Sequence, residues 1–134
     1  ATTATQTAGW MTGFPPRTGF GRGYPEHDTW RFEAKRLVES GEADAALWIS
    51  SYDGEAPPWS RDDVPLITLA PAGKEPARGL YIEVGRPGVT YDAVEYAQEI
   101  AAFTLRSATA PSDAPTVETV IDAIMAQVSE RVAC

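Results

Sequence analysis

The sequence has few of the residues from which catalytic and metal sites are usually built. Cys134 is the only cysteine and the last of 134 residues, and one thiol makes neither an intrachain disulfide nor a metal cage. His27 is the only histidine; Glu26 and Asp28 flank it, but neighbours in sequence do not by themselves build a metal site or a proton relay. Since nothing identifies the distant nucleophile and acid of a triad, we predict no catalytic residue and no metal ligand.

Long apolar runs and an excess of basic residues are also missing. No run approaches the roughly 20 residues of a membrane span, and the opening ATTATQTAG has neither the basic region nor the apolar segment of a secretory signal. Residues 1–40 carry five basic and four acidic side chains, whereas residues 41–134 carry six and fifteen. Because nucleic-acid binding needs a basic surface, we do not expect nucleic acid as a partner. Since neither a membrane span nor a secretory signal is visible, we also expect no membrane partner and a cytoplasmic location.

What the sequence does contain is organised around residues 28–58. This stretch predicts a helix, a tight turn, a buried strand and a loop. Asp28 or Thr29 can cap the first helical turn, and Gly41 suits the left-handed position after a helix. The continuous apolar run 45–49 is typical of a strand covered on both faces. The apolar face of the helix, at helical spacing, comprises Trp30, Ala34, Leu37 and Val38.

The remaining elements predict an α/β fold. Two further strands are expected at 64–69 and 80–84, and the segment 90–106 fits either a helix, which periodicity slightly favours, or two strands. Thr116 is expected to cap a final amphipathic helix, whose apolar stripe is Val117, Val120, Ile121, Ile124, Val128 and Val132. We therefore predict one domain over residues 1–134, with a small, mostly parallel, Rossmann-like sheet flanked by helices (core 28–134) behind a long Gly/Pro/aromatic N-terminal loop (arm 1–27).

The arm is the least regular part of the sequence. Residues 1–9 are compatible with a strand or with a disordered start, and residues 9–25 hold five glycines and three prolines, which predict neither helix nor regular strand. Aromatic residues, Met and Arg are the types enriched at interfaces, so this loop either packs beneath its own domain or contacts a partner. The candidate contact residues are Trp10, Phe14, Arg17, Phe20, Arg22 and Tyr24.

Two loops invite a ligand interpretation. The glycines at 19–23 do not follow a strand directly, and Tyr24 and Pro25 separate them from the next helix, so a phosphate loop is not favoured. Ser50, Ser51 and Asp53 follow the predicted buried strand, where open α/β sheets bind ligands. These three residues are candidate cofactor contacts, and a hydrogen-bonded turn is the alternative.

Several segments together resemble the C-terminal region of the B subunit of formylmethanofuran dehydrogenase. They are the Trp10–Pro25 loop with its Arg-Gly-Tyr-Pro, the entry Gly41–Leu47 into the strand, Ile82–Val89, and Pro115–Glu118 leading into the last helix. The match covers most of the chain but only about the last third of such a protein, which implies that the chain is the C-terminal part of a longer one. The resemblance also implies two strands, rather than a helix, at 90–106.

The family is similar to molybdopterin oxidoreductases. In archaeal enzymes its members hold a molybdenum or tungsten pterin, and in methylotrophic bacteria a related protein is part of a formyltransferase/hydrolase complex. That complex moves a formyl group from tetrahydromethanopterin to a furan carrier and releases formate, and the related protein is considered not to perform redox chemistry there. The ligating cysteine or selenocysteine of the redox enzymes would lie upstream of the region covered, and Cys134 cannot replace it.

The resemblance therefore implies a non-catalytic structural or assembly role within a complex of one-carbon metabolism. No cofactor is expected on this chain, and Ser50, Ser51 and Asp53 would be a vestigial site. The arm would dock on other subunits, and Arg17 and Arg22 would attract the carboxylates of a glutamate-bearing furan carrier. The alternatives are the guanine-side domain of a molybdopterin or tungstopterin oxidoreductase and a stand-alone module that binds a small molecule.

Overall fold

The computed structural model describes residues 3–132 of the chain, and the side chains of residues 5–129. Within these residues the structure has three helices and seven strands. In chain order they are α1 (Thr3–Thr12), β1 (Thr18–Gly19), β2 (Glu26–His27), α2 (Ala34–Glu39), β3 (Ala46–Ile49), β4 (Leu66–Ala70), β5 (Leu80–Glu83), β6 (Ala93–Ala97), β7 (Ala102–Arg106) and α3 (Val117–Val132).

Backbone packing divides the chain into two compact units, each assembled from separate stretches. The arm-and-hairpin unit comprises residues 1–46, 58–65 and 94–106, and the sheet unit comprises 47–57, 66–93 and 107–134. The strands form three sheets in the described residues, of which the largest has the order β3-β4-β5. The predicted α/β fold with a small parallel sheet is confirmed, whereas one domain with an arm at 1–27 stays a prediction.

The sheet unit has its core on the central strand β4. β4 and β5 pair in parallel, with Ile67 beside Leu80 and Leu69 beside Ile82. Leu69 and Val84 are fully buried, at 0% and 1% exposure. Both strands begin or end within two residues of the predicted bounds, and Pro65, which has no N–H to donate, lies just before β4.

The run 45–49 is a strand, but the prediction that both its faces are covered is wrong. Leu47 and Ile49 are 47% and 45% exposed, while Ala46 and Trp48 are half-buried. β3 is an edge strand of the three-stranded sheet, and its side chains alternate between two faces. A continuous apolar run shows that both faces of a strand are apolar, but it does not show whether another element covers each face.

The arm-and-hairpin unit begins with a helix, so neither a strand nor a disordered start describes residues 3–9; residues 1 and 2 lie outside the described part. Trp10, Met11 and Thr12 continue α1, which corrects the expectation of no helix in 9–25. The physical reason is that no proline interrupts the chain before Pro15, and the repeated alanines favour helix. β1 and β2 then form a two-residue antiparallel ladder. The glycines and prolines of this segment had predicted no regular strand here.

The helix predicted from Asp28 begins only at Ala34. Asp28 caps a separate turn instead: its Oδ1 accepts hydrogen bonds from the N–H groups of Trp30 (2.9 Å) and Arg31 (2.8 Å). Trp30 is therefore outside the helix and 69% exposed. Gly41 does adopt the left-handed conformation after α2, with φ 78°, as predicted.

The segment 90–106 forms the two strands β6 and β7, which pair with each other, so the strand prediction is confirmed. Thr116 caps α3 through a hydrogen bond from the Thr119 N–H to its Oγ1 (3.1 Å), also as predicted. The apolar stripe of α3 is half-buried from Val117 to Ile124 but exposed at Val128. The Val132 side chain and Cys134 lie outside the described residues. In the part of the chain that the structure describes, no helix has the length and apolarity to cross a membrane.

Candidate functional site

The loop after β3, residues 50–55, is held closed by its own hydrogen bonds. The Ser50 N–H donates to the Leu69 carbonyl (2.9 Å), which continues the strand pairing into the loop. The Ser50 hydroxyl then accepts from the Glu55 N–H (2.8 Å), and the Trp48 indole N–H donates to the Glu55 carbonyl (2.6 Å). These contacts anchor both ends of the loop at the carboxyl end of β3.

An ion pair links this loop to the segment after β5. Asp53 Oδ1 lies 3.3 Å from Arg86 Nη2, and the two side chains are 69% and 48% exposed. Because β4 lies between β3 and β5, this pair reaches across the carboxyl end of the central strand. The Arg86 carbonyl accepts hydrogen bonds from the N–H groups of Val89 (3.1 Å) and Thr90 (2.9 Å), so Arg86 is the first residue of a tight turn.

Two tyrosines complete this edge of the sheet. Tyr91 packs close to Gly85, where an added Cβ would lie 3.0 Å from its ring. Burial, and then the neighbouring Tyr52, raises the pKa of the Tyr91 hydroxyl. We call the group formed by Ser50, Tyr52, Asp53, Arg86 and Tyr91 the carboxyl-edge cluster.

The predicted cofactor contacts Ser50, Ser51 and Asp53 thus lie where expected, but two of them are engaged inside the chain. Ser50 holds Glu55 and Asp53 holds Arg86. A ligand at this loop would have to open the ion pair or approach Ser51, which is half-buried. Whether these residues contact a cofactor stays a prediction. Sequence reasoning missed Arg86 and Tyr91, since they come 33 and 38 positions after Asp53 and no local pattern joins them.

The arm residues form two small contacts in the other unit. Phe14 and Phe20 meet edge to face, with ring centroids 5.2 Å apart, yet they stay 42% and 53% exposed. Arg22 lies 3.3 Å from Glu26, a carboxylate that Arg31 also approaches at 3.5 Å. Tyr24 is 53% exposed.

Arg17 has the least ordinary backbone in the arm. Its φ is 64°, a left-handed conformation that costs a residue with a Cβ about 1–2 kcal/mol. Its guanidinium donates to the Thr29 carbonyl (2.6 Å) and pairs with Glu33 (3.3 Å). Arg17 and Arg22 are therefore both paired within the chain, and their predicted contact with a carrier stays untested.

Trp10 belongs to an aromatic surface that the sequence did not single out. Its ring stacks on Tyr96 of β6 at 5.5 Å, and Tyr96 meets Phe103 of β7 edge to face at 5.6 Å. The Thr7 hydroxyl also accepts from the Tyr96 N–H (2.8 Å), which fixes α1 against the hairpin. Strand alternation places Val94 beside Tyr96 and Leu105 beside Phe103 on this side. We call these five residues the hairpin patch: Trp10, Val94, Tyr96, Phe103 and Leu105.

The hairpin patch is apolar and open. Trp10, Phe103 and Leu105 are 66%, 47% and 67% exposed. The other side of the hairpin carries the charges, with Glu95 and Arg106 paired at 2.7 Å. The signal was present in the sequence, because two strands at 90–106 place these residues on one face, but strand periodicity does not show whether that face is covered.

His27 lies in the short ladder beside Thr18. Among the described residues, no three His, Cys, Asp or Glu side chains are grouped in a way that could hold a metal ion. The structure thus defines a small α/β chain with a parallel sheet, a polar cluster at its carboxyl edge and exposed aromatic side chains on a separate unit.

Comparison with known proteins finds a relative of this chain. No family model matches the chain. The chain is 33% identical over 132 residues to the B subunit of the formyltransferase/hydrolase complex Fhc of Methylorubrum extorquens, across 96% of this chain and 36% of that protein. The crystal structure of the FhcABCD complex from Methylorubrum extorquens, in complex with methylofuran, holds a chain that superposes with a TM-score of 0.81 and 34% identity, over 98% of this chain and 38% of that one.

The chain is therefore homologous to a stretch of the Fhc B subunit. It spans little more than a third of that relative's length. At this identity and TM-score the two share one fold over the matched stretch.

Proposed function

We propose that the chain is a structural part of a formyltransferase/hydrolase complex that acts in one-carbon metabolism. The observation that carries the proposal is the homology to the Fhc B subunit over nearly the whole chain, with a TM-score of 0.81. In this role the chain contributes fold and binding surface, and the transfer of the formyl group to the furan carrier and the release of formate take place on other subunits. The narrower family name, the B subunit of formylmethanofuran dehydrogenase, as well as methylotrophy and a cytoplasmic location, stay predictions.

The hairpin patch and the arm are the surfaces proposed to dock on other subunits. Large aromatic side chains that are half-exposed on a fixed hairpin bury much area at small entropic cost when a partner covers them. Trp10 is held by its stack on Tyr96, so it is already oriented before docking. Phe14 and Phe20 extend the same type of surface along the arm.

The test is the composition of the native assembly. Size exclusion, intact mass spectrometry and metal analysis of the complex purified from its own cells should give a large assembly that contains formyltransferase subunits together with this chain. A particle of about the mass of the chain alone would contradict the proposal. Molybdenum or tungsten in the assembly would support the pterin oxidoreductase instead.

The docking surface can be tested in the same preparation. Replacing Trp10 and Phe103 by alanine should remove most of the chain from the assembly, because two central aromatic anchors of an interface commonly contribute about 2 kcal/mol or more each, about 30-fold in affinity. Replacing Met125 and Val128 by alanine is the matched control, since these α3 side chains are also about half exposed, at 57% and 49%, but belong to the sheet unit. Equal loss in both double variants would refute a specific hairpin patch.

Arg17 and Arg22 are proposed to bind carboxylates of the carrier. The matched crystal structure is described as a complex with methylofuran, and a bidentate arginine is a strong partner for a carboxylate. In this chain Glu33 holds Arg17 and Glu26 holds Arg22, each at 3.3 Å; the two arginines and Glu33 are at least 40% exposed, and Glu26 is 23% exposed. Ion pairs with this access to solvent contribute little, under about 1 kcal/mol where both partners are exposed. A carrier carboxylate can therefore displace them at small cost.

Replacing Arg17 and Arg22 by alanine should weaken methylofuran binding to the assembled complex by at least roughly tenfold, while assembly persists, since each lost charge-assisted pair contributes about 1.5–3 kcal/mol. The control variant, Lys35→Ala with Arg106→Ala, removes two positive charges from the same unit outside the arm. Unchanged affinity in the arginine variant, measured by calorimetry on the complex, would dispose of the carrier contact.

The pterin alternative depends on the loop that follows β3. In the redox enzymes that the sequence resembles, the loop after the strand faces the guanine end of the cofactor. Here Ser50 holds the Glu55 N–H and Asp53 pairs with Arg86, so a guanine at this loop would have to replace those contacts.

A further inference from the structure

One face of the parallel sheet is aliphatic on all three strands. Ser50 pairs with β4 through Leu69, which places Ile49 beside Leu69 and Leu47 beside Ile67 in a parallel register. β5 continues the rows, with Leu80 beside Ile67 and Ile82 beside Leu69. We call this surface the aliphatic face: Leu47, Ile49, Ile67, Leu80 and Ile82.

The aliphatic face is open along the edge strand β3 and at the amino end of β5. Leu47, Ile49 and Leu80 are 47%, 45% and 58% exposed, and Ile67 between them is half-buried. The opposite face of β4 behaves differently, since Leu66, Thr68 and Ala70 are all buried, at 5% or less. The same strand thus has one covered face and one face that is covered only at Leu69.

Parallel sheets are found with both faces covered, because their strands are apolar on both sides and their crossover connections are helices. Rows of isoleucine and leucine across three strands form a surface against which the apolar stripe of a helix packs. Each such side chain gains hydrophobic stabilisation when its remaining exposed surface is buried. A polar or charged partner would forfeit this gain.

We propose that the aliphatic face is a docking site for one amphipathic helix that lies outside these 134 residues and carries basic residues beside its apolar stripe. The matched crystal-structure chain superposes over 98% of this chain but only 38% of its own length, so homologous chains contain additional polypeptide that can supply such a helix. The inference concerns this face alone and stands whether or not the complex is the one proposed above.

Charge selects the kind of helix. The sheet unit contains four Lys or Arg and nine Asp or Glu residues, a net charge of −5. A docked helix with flanking Lys and Arg gains from this field and associates faster, whereas an acidic helix is repelled. A second copy of this chain would bring the same net charge of −5, which disfavours self-association through this face.

The experiment uses the full chain in the cells that produce it naturally, with benzoylphenylalanine, a photo-crosslinking amino acid, at position 47 or 80. After irradiation, the crosslinked peptide is identified by mass spectrometry. The expected peptide has apolar residues at i, i+3, i+4 and i+7 and more Lys and Arg than Asp and Glu. A peptide without this pattern, a peptide from a second copy of this chain, or no crosslink would overturn the proposal.

Substitutions provide the matched control. Leu47→Ser with Ile49→Ser should reduce the yield of the crosslink from position 80 at least roughly tenfold, because two apolar contacts are lost, while Met125→Ser with Val128→Ser leaves it unchanged. If the first pair lowers the melting temperature by more than a few degrees, Leu80→Ser with the crosslinker at position 47 replaces it, since Leu80 is the most exposed of the three. Equal yields from wild type and either face variant would refute the site.

Discussion

The central strand β4 of the sheet unit and the hairpin β6–β7 of the other unit use their apolar residues in opposite ways. In the sheet unit Leu69 and Val84 are fully buried, whereas in the arm-and-hairpin unit Trp10, Phe103 and Leu105 leave about half or more of their surface exposed. The difference teaches that the buried central strand and the exposed hairpin have separate roles. The central strand supplies stability, and the hairpin and arm present side chains that gain most from a partner.

The largest expected effect compares two leucines in strands of the two units. Leu69→Ala should destabilise the chain by about 2–5 kcal/mol, because it removes a fully buried side chain and leaves a cavity. Leu105→Ala should cost under about 0.5 kcal/mol, since the side chain is 67% exposed. Urea unfolding of both variants measures the contrast, and similar losses would mean that Leu69 and Leu105 do not differ in burial.

Two glycines give the next comparison. Gly79, in the sheet unit, has φ 85°, and an added Cβ would collide with the Leu66 carbonyl oxygen. Gly79→Ala should therefore cost about 1–3 kcal/mol. Gly21, in the arm, has open space around it, so Gly21→Ala should be neutral or stabilise by up to about 1 kcal/mol through the unfolded chain. Loss of stability in both would contradict an open arm.

Thr68 offers a change of opposite sign within the sheet unit. Its side chain is 3% exposed, and its hydroxyl has no hydrogen-bond partner among the described residues. Thr68→Val removes that unsatisfied group while keeping the shape, and should stabilise the chain by about 1–2 kcal/mol. Thr104→Val on the hairpin is the control, since it removes a hydroxyl that donates to the Glu95 carbonyl. A loss in Thr68→Val would show that its hydroxyl is satisfied.

The smallest effect separates the units by pH. Hydrogen bonds from Arg31 and Trp30 lower the pKa of Asp28, so its contribution to stability is present above the unfolded pKa of about 4 and is lost as pH falls through the folded pKa. Burial, with Glu75 and Glu83, raises the pKa of Tyr81, so its contribution is present below the unfolded pKa of about 10 and is lost as pH rises through the folded pKa.

Melting curves of wild type, Asp28→Asn and Tyr81→Phe across the pH range measure these contributions. The difference between wild type and Asp28→Asn should shrink in acid, and the difference between wild type and Tyr81→Phe should shrink in alkali. Tyr81 donates to the Ala70 or Pro71 carbonyl (3.1 and 2.9 Å), which gives its effect a structural cause. A pH-independent difference in either pair would refute the corresponding assignment.

Local patterns predicted most of the elements but not their surroundings. The strands β3, β4 and β5, the glycine after α2 and the Thr116 cap depend on neighbours in sequence and are confirmed. The two strands at 90–106 are also confirmed, but the resemblance implied them, whereas periodicity slightly favoured a helix. The predicted start of α2 was wrong because the Asp28 side-chain oxygen can accept hydrogen bonds from the N–H groups of a turn as well as from those of a helix. The cover of β3 was wrong because apolar composition does not record which face meets another element.

The candidate site shows the same boundary. Ser50 and Asp53 were found because they follow a strand, which is a local relation, whereas Arg86 joins Asp53 only when three strands align side by side. The sequence by itself determined the fold class, the strands β3, β4 and β5 and the final helix α3, but not α1, β1 or β2. Only the tertiary structure decided that Ser50 and Asp53 are engaged, that Trp10 stands on the hairpin and that one sheet face is open, because pairing between distant strands and the covering of faces are long-range packing events that no local spacing encodes.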